Sequence, residues 1–218
     1  MYNLQQFFSA EDLAVLGSMA AIFGVVLLFT SALGIVCYVF QSIGLYKMAK
    51  SLNLDHPWMA WVPVLNTYTF GTIASKYIKK DGKPSAKFGG WLLGLDIATI
   101  VCAIGLIVSV VTTVISAIGM ESMETTAPTA AFLGSVLSLI GGYVILMGVA
   151  VAFSILYYIA LWRIFAIFDN SNATVFLIVS IIFGIAMPFL LFAVRNNKPD
   201  VTYFDRIGYI PPPQTDNE

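Results

Sequence analysis

GWLLGLDIATIVCAIGLIVSVVTTVISAI, residues 90–118, runs for 29 positions with a single charged residue, Asp96. About 20 apolar residues carry a helix across the hydrocarbon core of a bilayer. Lipid offers no hydrogen-bond partner, so a segment at that depth pairs its backbone groups as a helix or within a closed barrel. The strict apolar–polar alternation of a barrel strand is missing here. The stretch reads as a transmembrane helix.

Working outward, three further stretches satisfy the same criterion: 17–40 (GSMAAIFGVVLLFTSALGIVCYVF), 131–162 and 173–194. The expected fold is all-α, a polytopic helical membrane protein with about four transmembrane helices plus an interfacial or re-entrant segment. Its parts are an N-terminal interfacial segment (1–16), a membrane domain (17–194) and a flexible C-terminal tail (195–218). Composition agrees, with 59% hydrophobic and 11% charged residues, where soluble domains are nearer half and a quarter. A net charge of -1 lacks the basic footprint of a nucleic-acid binder, so no nucleic acid is expected as a partner.

Local signals punctuate the spans. No Lys or Arg precedes Lys47, which argues against a secretory signal and for a retained first span. Ser9 with Glu11 and Asp12 resembles a capped helix start. Asp169-Asn170-Ser171-Asn172 is a compact polar turn, predicting an antiparallel hairpin of spans three and four. Pro188 removes one backbone donor and predicts a kink in the fourth span.

Residues 57–75, PWMAWVPVLNTYTFGTIAS, are apolar and aromatic but are interrupted by Pro63 and Asn66, and a lysine cluster follows. The bias of Lys and Arg toward the cytoplasm decides their placement. With four spans and the N-terminus outside, eight basic residues (Lys47, Lys50, Lys76, Lys79, Lys80, Lys83, Lys87 and Arg163) lie inside and three (Arg195, Lys198 and Arg206) outside. A fifth crossing would split them five against six. Residues 57–87 are therefore expected at the cytoplasmic interface, with Trp58, Trp61, Tyr68 and Tyr77 at headgroup depth. The loop containing Glu121 and Glu124 then faces outward.

An internal echo accompanies this layout. Ile43-Gly44-Leu45-Tyr46-Lys47-Met48 matches Ile159-Ala160-Leu161-Trp162-Arg163-Ile164 in character at a constant offset of 116 residues. The echo suggests two parallel halves, the first with an incomplete return, although aromatic-basic helix exits also recur for interfacial reasons alone.

Candidate functional residues are few. Asp96 is the one acid within a span, and a carboxylate at membrane depth is costly unless paired or wet. Its structural reading is a shallow carboxylate bonded to a nearby Lys or Thr. Trp58, Trp61, Pro63 and Asn66 form the most distinctive segment. Pro57 and Pro63 interrupt helix there and free carbonyls that Asn66 can satisfy, while the rings anchor the interface. Lys76, Lys79 and Lys80 fit anionic lipid or simply set orientation. Gly90 with Gly94, and Ser138 with Gly142, are small-xxx-small pairs that favour close packing within the chain over dimerisation. Cys37 and Cys102 lie in apolar runs and read as small hydrophobes. His56, the single histidine, cannot build a His-rich zinc site. No catalytic set, cofactor or metal is expected.

The stretch LYKMAKSLNLDHPWMAWVPVLNTYTFGTIASKY (45–77) resembles a pattern found in uncharacterised multi-pass membrane proteins of Gram-positive bacteria. Met48-Ala49-Lys50 forms the helix exit of that pattern, and Ala60, Trp61, Pro63, Asn66 and Tyr68 its Ala-Trp-x-Pro-x-x-Asn-x-Tyr. FLLFAVRNNKP (189–199) is similar to the end of the last span in such proteins. The resemblance implies a bacterial cytoplasmic-membrane protein of unassigned function and supplies no site residues. The expected role is a non-enzymatic accessory or assembly subunit that contacts the lipid bilayer, anionic lipid at the lysine cluster, or another membrane protein. The alternative is a small transporter or channel-like protein using Asp96.

Overall fold

A computed structural model of the chain describes residues 10–75, 86–121 and 130–199. Ser9, the lysines at 76, 79, 80 and 83, and the tail from residue 200 lie outside the described residues. The chain is all-helical there: α1 (Ala10–Ser51), a 3-10 helix (Pro57–Trp61), α2 (Pro63–Ser75), α3 (Ala86–Glu121), α4 (Ala130–Phe168), α5 (Ala173–Ile182) and α6 (Ala186–Val194). Three helices are long and apolar enough to cross a membrane, over Gly17–Ser51, Phe88–Ala117 and Phe132–Phe168. At 1.5 Å per residue α1 is about 63 Å long, twice the roughly 30 Å of a hydrocarbon core.

The expected fourth span, 173–194, is two short helices. The break falls at Phe183–Ile185, one turn before the Pro188 kink that the sequence predicts. Pro188 has no N–H to give to the carbonyl of Gly184, and its ring would crowd that carbonyl in a continuous helix. The chain therefore ends α5 and starts again, placing Pro188 in the first turn of α6, where the missing donor costs nothing. Phe183 N–H closes α5 on the Val179 carbonyl (2.8 Å), and Ala186 N–H bonds Phe183 O (2.8 Å).

The contacts of α6 show its direction. Phe40 of α1 packs on Phe189 and Phe192, with ring centroids 5.0 and 4.8 Å away. Gly44 faces the backbone of Leu191 and Phe192, and Lys47 Nζ donates to Asn196 Oδ1 (2.6 Å). Rising numbers on α1 meet rising numbers on α6, so the two helices are parallel. Meanwhile α5 leaves α4 through the Asp169–Asn172 turn and runs back along it, with Phe165 against Phe176. Together α5 and α6 form a hairpin that returns to the end of the bundle it left.

The first half of the chain does the same. A left-handed Asn53 (φ 49°) ends α1. Leu54 N–H reaches back to Ala49 O and Asn53 N–H to Lys50 O, both at 3.1 Å, the bonding pattern of a Schellman cap. The chain then climbs to Trp61, whose carbonyl accepts from the Tyr38 hydroxyl (2.6 Å). Pro63 opens α2, which descends antiparallel to α3: Thr67 meets Asp96, and Gly71 meets Gly89 and Leu92. Residues 57–75, expected as an interfacial or re-entrant segment, form a second hairpin, with Asn66, Thr69, Phe70, Gly71, Ile73, Ala74 and Ser75 buried. The short return helix of each half packs on the long helix of the other, α2 on α4 and α6 on α1.

Burial repeats with the sequence echo. Gly44, Leu45 and Met48 are buried, as are Ala160, Leu161 and Ile164, while Tyr46 and Trp162 are 37% and 40% exposed. The core lies wholly at this end, built from Leu45, Met48, Phe70, Ile73, Leu92, Leu161, Phe165 and Leu191 among others. The α3–α4 pair continues outward, joined by Ser109 to Ser138 (3.0 Å) and by Leu106 against Gly142. Ser138 and Gly142 thus serve packing within the chain, as expected. Gly90 and Gly94 face open space, and the close approach belongs to Gly89 instead. A Cβ on Gly71 would lie 2.7 Å from Gly89 Cα, a distance that neither backbone can relieve without moving.

Two outcomes follow for stability. Gly71→Val should destabilise the fold by about 1–3 kcal/mol or more, typical of overpacking, seen as a lower thermal midpoint in detergent, while Gly94→Ala should leave the midpoint unchanged. In the Asp169 turn, slight burial of the carboxyl works against its charge. Hydrogen bonds from the Asn172 side chain, Ser171 and the Asn172 N–H outweigh that and hold its pKa below the ordinary value. A depressed pKa contributes stability above the unfolded value, lost as pH falls through the folded one. Asp169→Ala should therefore lower the midpoint at neutral pH, and the gap from the parent protein should narrow as pH falls below the ordinary carboxylate range and close once the folded-state carboxyl is protonated.

Candidate functional site

A polar cluster forms where the two halves meet. Pro63 at the start of α2 turns the chain at Trp61–Val62, leaving carbonyls at the elbow without helical partners. Asn66, one turn into α2, answers them: its Nδ2 donates to Ala60 O (2.8 Å) and reaches Ser42 Oγ (3.4 Å). Gln41 Nε2 donates to Asn66 Oδ1 (3.2 Å), and Asn66 N–H bonds Val62 O (2.7 Å). On the next residue, Thr67 Oγ1 donates to Asp96 Oδ2 (2.9 Å), so the carboxylate is held by a threonine, one of the two partner types that its structural reading names.

From the other half, Tyr157 of α4 enters the same cluster. Its ring stacks on Phe70 at 4.6 Å and 6°. Its hydroxyl is directed at Met187 Sδ (3.5 Å), with Gln41, Asp96 and Tyr158 as neighbours. Four helices and both hairpins thus converge on Gln41, Asn66, Thr67, Asp96 and Tyr157. Among the described residues no buried side-chain nitrogen or oxygen lacks a partner.

The depth of the cluster can be read from the helices. Tyr46, Trp91 and Trp162 are exposed and lie about 7.5 Å along their helices from Gln41, Asp96 and Tyr157 respectively. Aromatic rings of this kind collect at the membrane interface. The polar cluster therefore lies one and a half helical turns to the apolar side of an aromatic belt. Chemically it offers one carboxylate, two amides and several hydroxyls, a set that hydrogen-bonds or holds a cation but contains no activated nucleophile.

Of the residues singled out from sequence, Asp96 and Asn66 come together in this cluster, and Pro63 positions the elbow above it. Trp58 and Trp61 are exposed at 54% and 45%, and Trp61 joins through its backbone carbonyl alone. Lys76, Lys79 and Lys80 lie outside the described residues. Sequence reasoning passed over Gln41, Ser42, Thr67 and Tyr157. The available signal was Gln41, the one amide side chain between Gly17 and Lys50. Comparison with protein-family models, curated proteins and solved structures found no match.

Replacing Asn66 tests how much of the fold rests on this cluster. Asn66→Ala strands the Ala60 carbonyl and one end of Gln41, and each lost buried partner costs about 1–3 kcal/mol. The variant should unfold at clearly lower temperature in detergent, whereas Trp58→Ala should be nearly neutral.

Proposed function

We propose that this protein is a non-enzymatic accessory subunit of the bacterial cytoplasmic membrane that binds another membrane protein along the outer halves of its long helices. One observation carries the reading: the core is confined to one end of the bundle. Beyond the two elbows, α1 exposes Ile22, Phe23, Val25, Leu27, Leu28 and Phe29, and nothing lies within 4 Å of a Cβ placed on Gly17, Gly24 or Gly34. A self-contained transporter encloses its path through the whole thickness of the membrane. Here the outer part encloses nothing, while the inner part is tied by the polar cluster into a stable base. Such a base presents long apolar helices at a fixed spacing to a partner.

A photo-crosslinking residue at Leu28, whose side chain is 74% exposed, should trap a discrete membrane protein in intact cells, with the same protein copurifying in mild detergent. Lipid adducts alone would sink the proposal.

Asp96 favours a second reading, transport. Its carboxylate has no Lys or Arg partner among the described residues; its hydrogen bond is to Thr67. On that reading Asp96→Asn abolishes function at unchanged protein level, and single cysteines along α3 show a water-accessible stripe that includes position 96. Uniform protection of α3 would exclude it.

A further inference from the structure

Both hairpins leave and rejoin the same end of the bundle, which determines where the basic residues gather. From Gln41 to Ser51, from Asp96 back to Ala86 and from Tyr157 to Phe168 the helices run about 15 Å further, so these termini share one level. The bond from Lys47 to Asn196 brings the end of α6 to that level too. Segment 76–85 joins Ser75 to Ala86 there, and the tail follows Pro199 from there. All eleven Lys and Arg of the chain lie in helix turns at this end or in stretches tethered to it. At the opposite end the sequence has Glu11, Asp12, Glu121 and Glu124 and no basic residue. Four crossings divide the basic residues eight to three; three crossings divide them eleven to none.

We propose that the chain crosses the membrane three times, with its N-terminus outside and its C-terminus inside, and that the two hairpins build an inner face that binds anionic phospholipid headgroups. The residues of that face are Lys47, Lys50, Arg163, Arg195 and Lys198. The belt of Tyr46, Trp91 and Trp162 sets the headgroup plane, and Lys47 and Arg163 immediately follow belt residues in sequence. Arg163 is braced over the Phe88 ring (5.4 Å) and Lys47 by Asn196 (2.6 Å), so each half contributes a cation held beside the belt. Complete segregation of Lys and Arg follows the positive-inside bias. Basic groups just cytoplasmic of a span attract anionic lipid. The inference does not depend on whether the outer helices bind a partner.

In a background carrying Cys37→Ala and Cys102→Ala, single cysteines are placed at Ser9, Ser85, Thr125 and Thr215 of the full chain. An impermeant maleimide applied to intact cells should label positions 9 and 125, and label 85 and 215 only after permeabilisation. Labelling of 215 from outside, with 85 protected, restores a fourth crossing and overturns the topology. Labelling of 85 and 215 with protection of 9 overturns the orientation. Native mass spectrometry then tests the face. Phosphatidylglycerol should be retained over phosphatidylcholine, undisplaced by free glycerol phosphate, and lost severalfold in Lys47→Gln/Lys50→Gln and in Arg195→Gln/Lys198→Gln. Equal retention of both lipids, or displacement by the free phosphate, overturns the headgroup face.

Discussion

The side-chain amide of Asn66 is the interaction on which the rest of the structure depends. A helix that starts inside a membrane protein brings an unpaired elbow with it, and an unsatisfied backbone group there costs several kcal/mol. Asn66 closes that elbow by donating to Ala60 O and accepting from Gln41. Only with the elbow closed does α2 sit at the height where Thr67 meets Asp96, Phe70 stacks on Tyr157 and Gly71 touches Gly89. Those contacts join α2 to both α3 and α4.

The second hairpin solves the same problem with different chemistry. Its elbow at Phe183–Ile185 is short, and its carbonyl at Phe183 is taken by Ala186 N–H. Its descending helix is fixed by rings, with Phe189 and Phe192 around Phe40, and by the absence of a side chain at Gly44. The first hairpin is held by amides and hydroxyls beside the Phe70–Tyr157 stack, the second by aromatic packing and the Lys47–Asn196 bond. The consequence is chemical asymmetry within a repeated architecture. The carboxylate and amides belong to the first hairpin and its neighbours, and the second hairpin contributes Met187 beneath the Tyr157 hydroxyl.

The helical membrane class was readable because run length and missing alternation admit few other solutions in lipid. The Asp169–Asn172 turn was readable because its hydrogen bonds are local. The paths of 57–75 and 173–194 were not, since an apolar stretch has the same composition whether it lies on, crosses or turns back within a bundle. Counting apolar residues across Phe183–Ile185 merges two helices into one apparent span. Pro63 and Pro188 marked discontinuities without showing that the chain reverses there. The choice of Gly89 over Gly90 was equally hidden, because α3 is apolar on all sides and spacing alone selects no face. Asp96 stood out as the lone acid in a span, whereas Thr67 and Tyr157 matter through partners distant in sequence.

The uneven packing has a physical origin. Lipid chains are as apolar as leucine, so helices in a bilayer gain little by burying Leu or Val against one another. They associate where small residues permit close approach or where hydrogen bonds form. At the hairpin end such features are engaged: Gly44, Gly71, Gly89, Asn66 and Thr67 each touch a neighbouring helix. Farther out, α3 and α4 keep one serine pair and one glycine contact, and α1 has neither. Its outer glycines at 17, 24 and 34 are present but meet nothing within 4 Å. The sequence thus commits the hairpin end to a single arrangement and leaves the far part of α1 without close contacts to the α3–α4 pair at Gly17, Gly24 and Gly34.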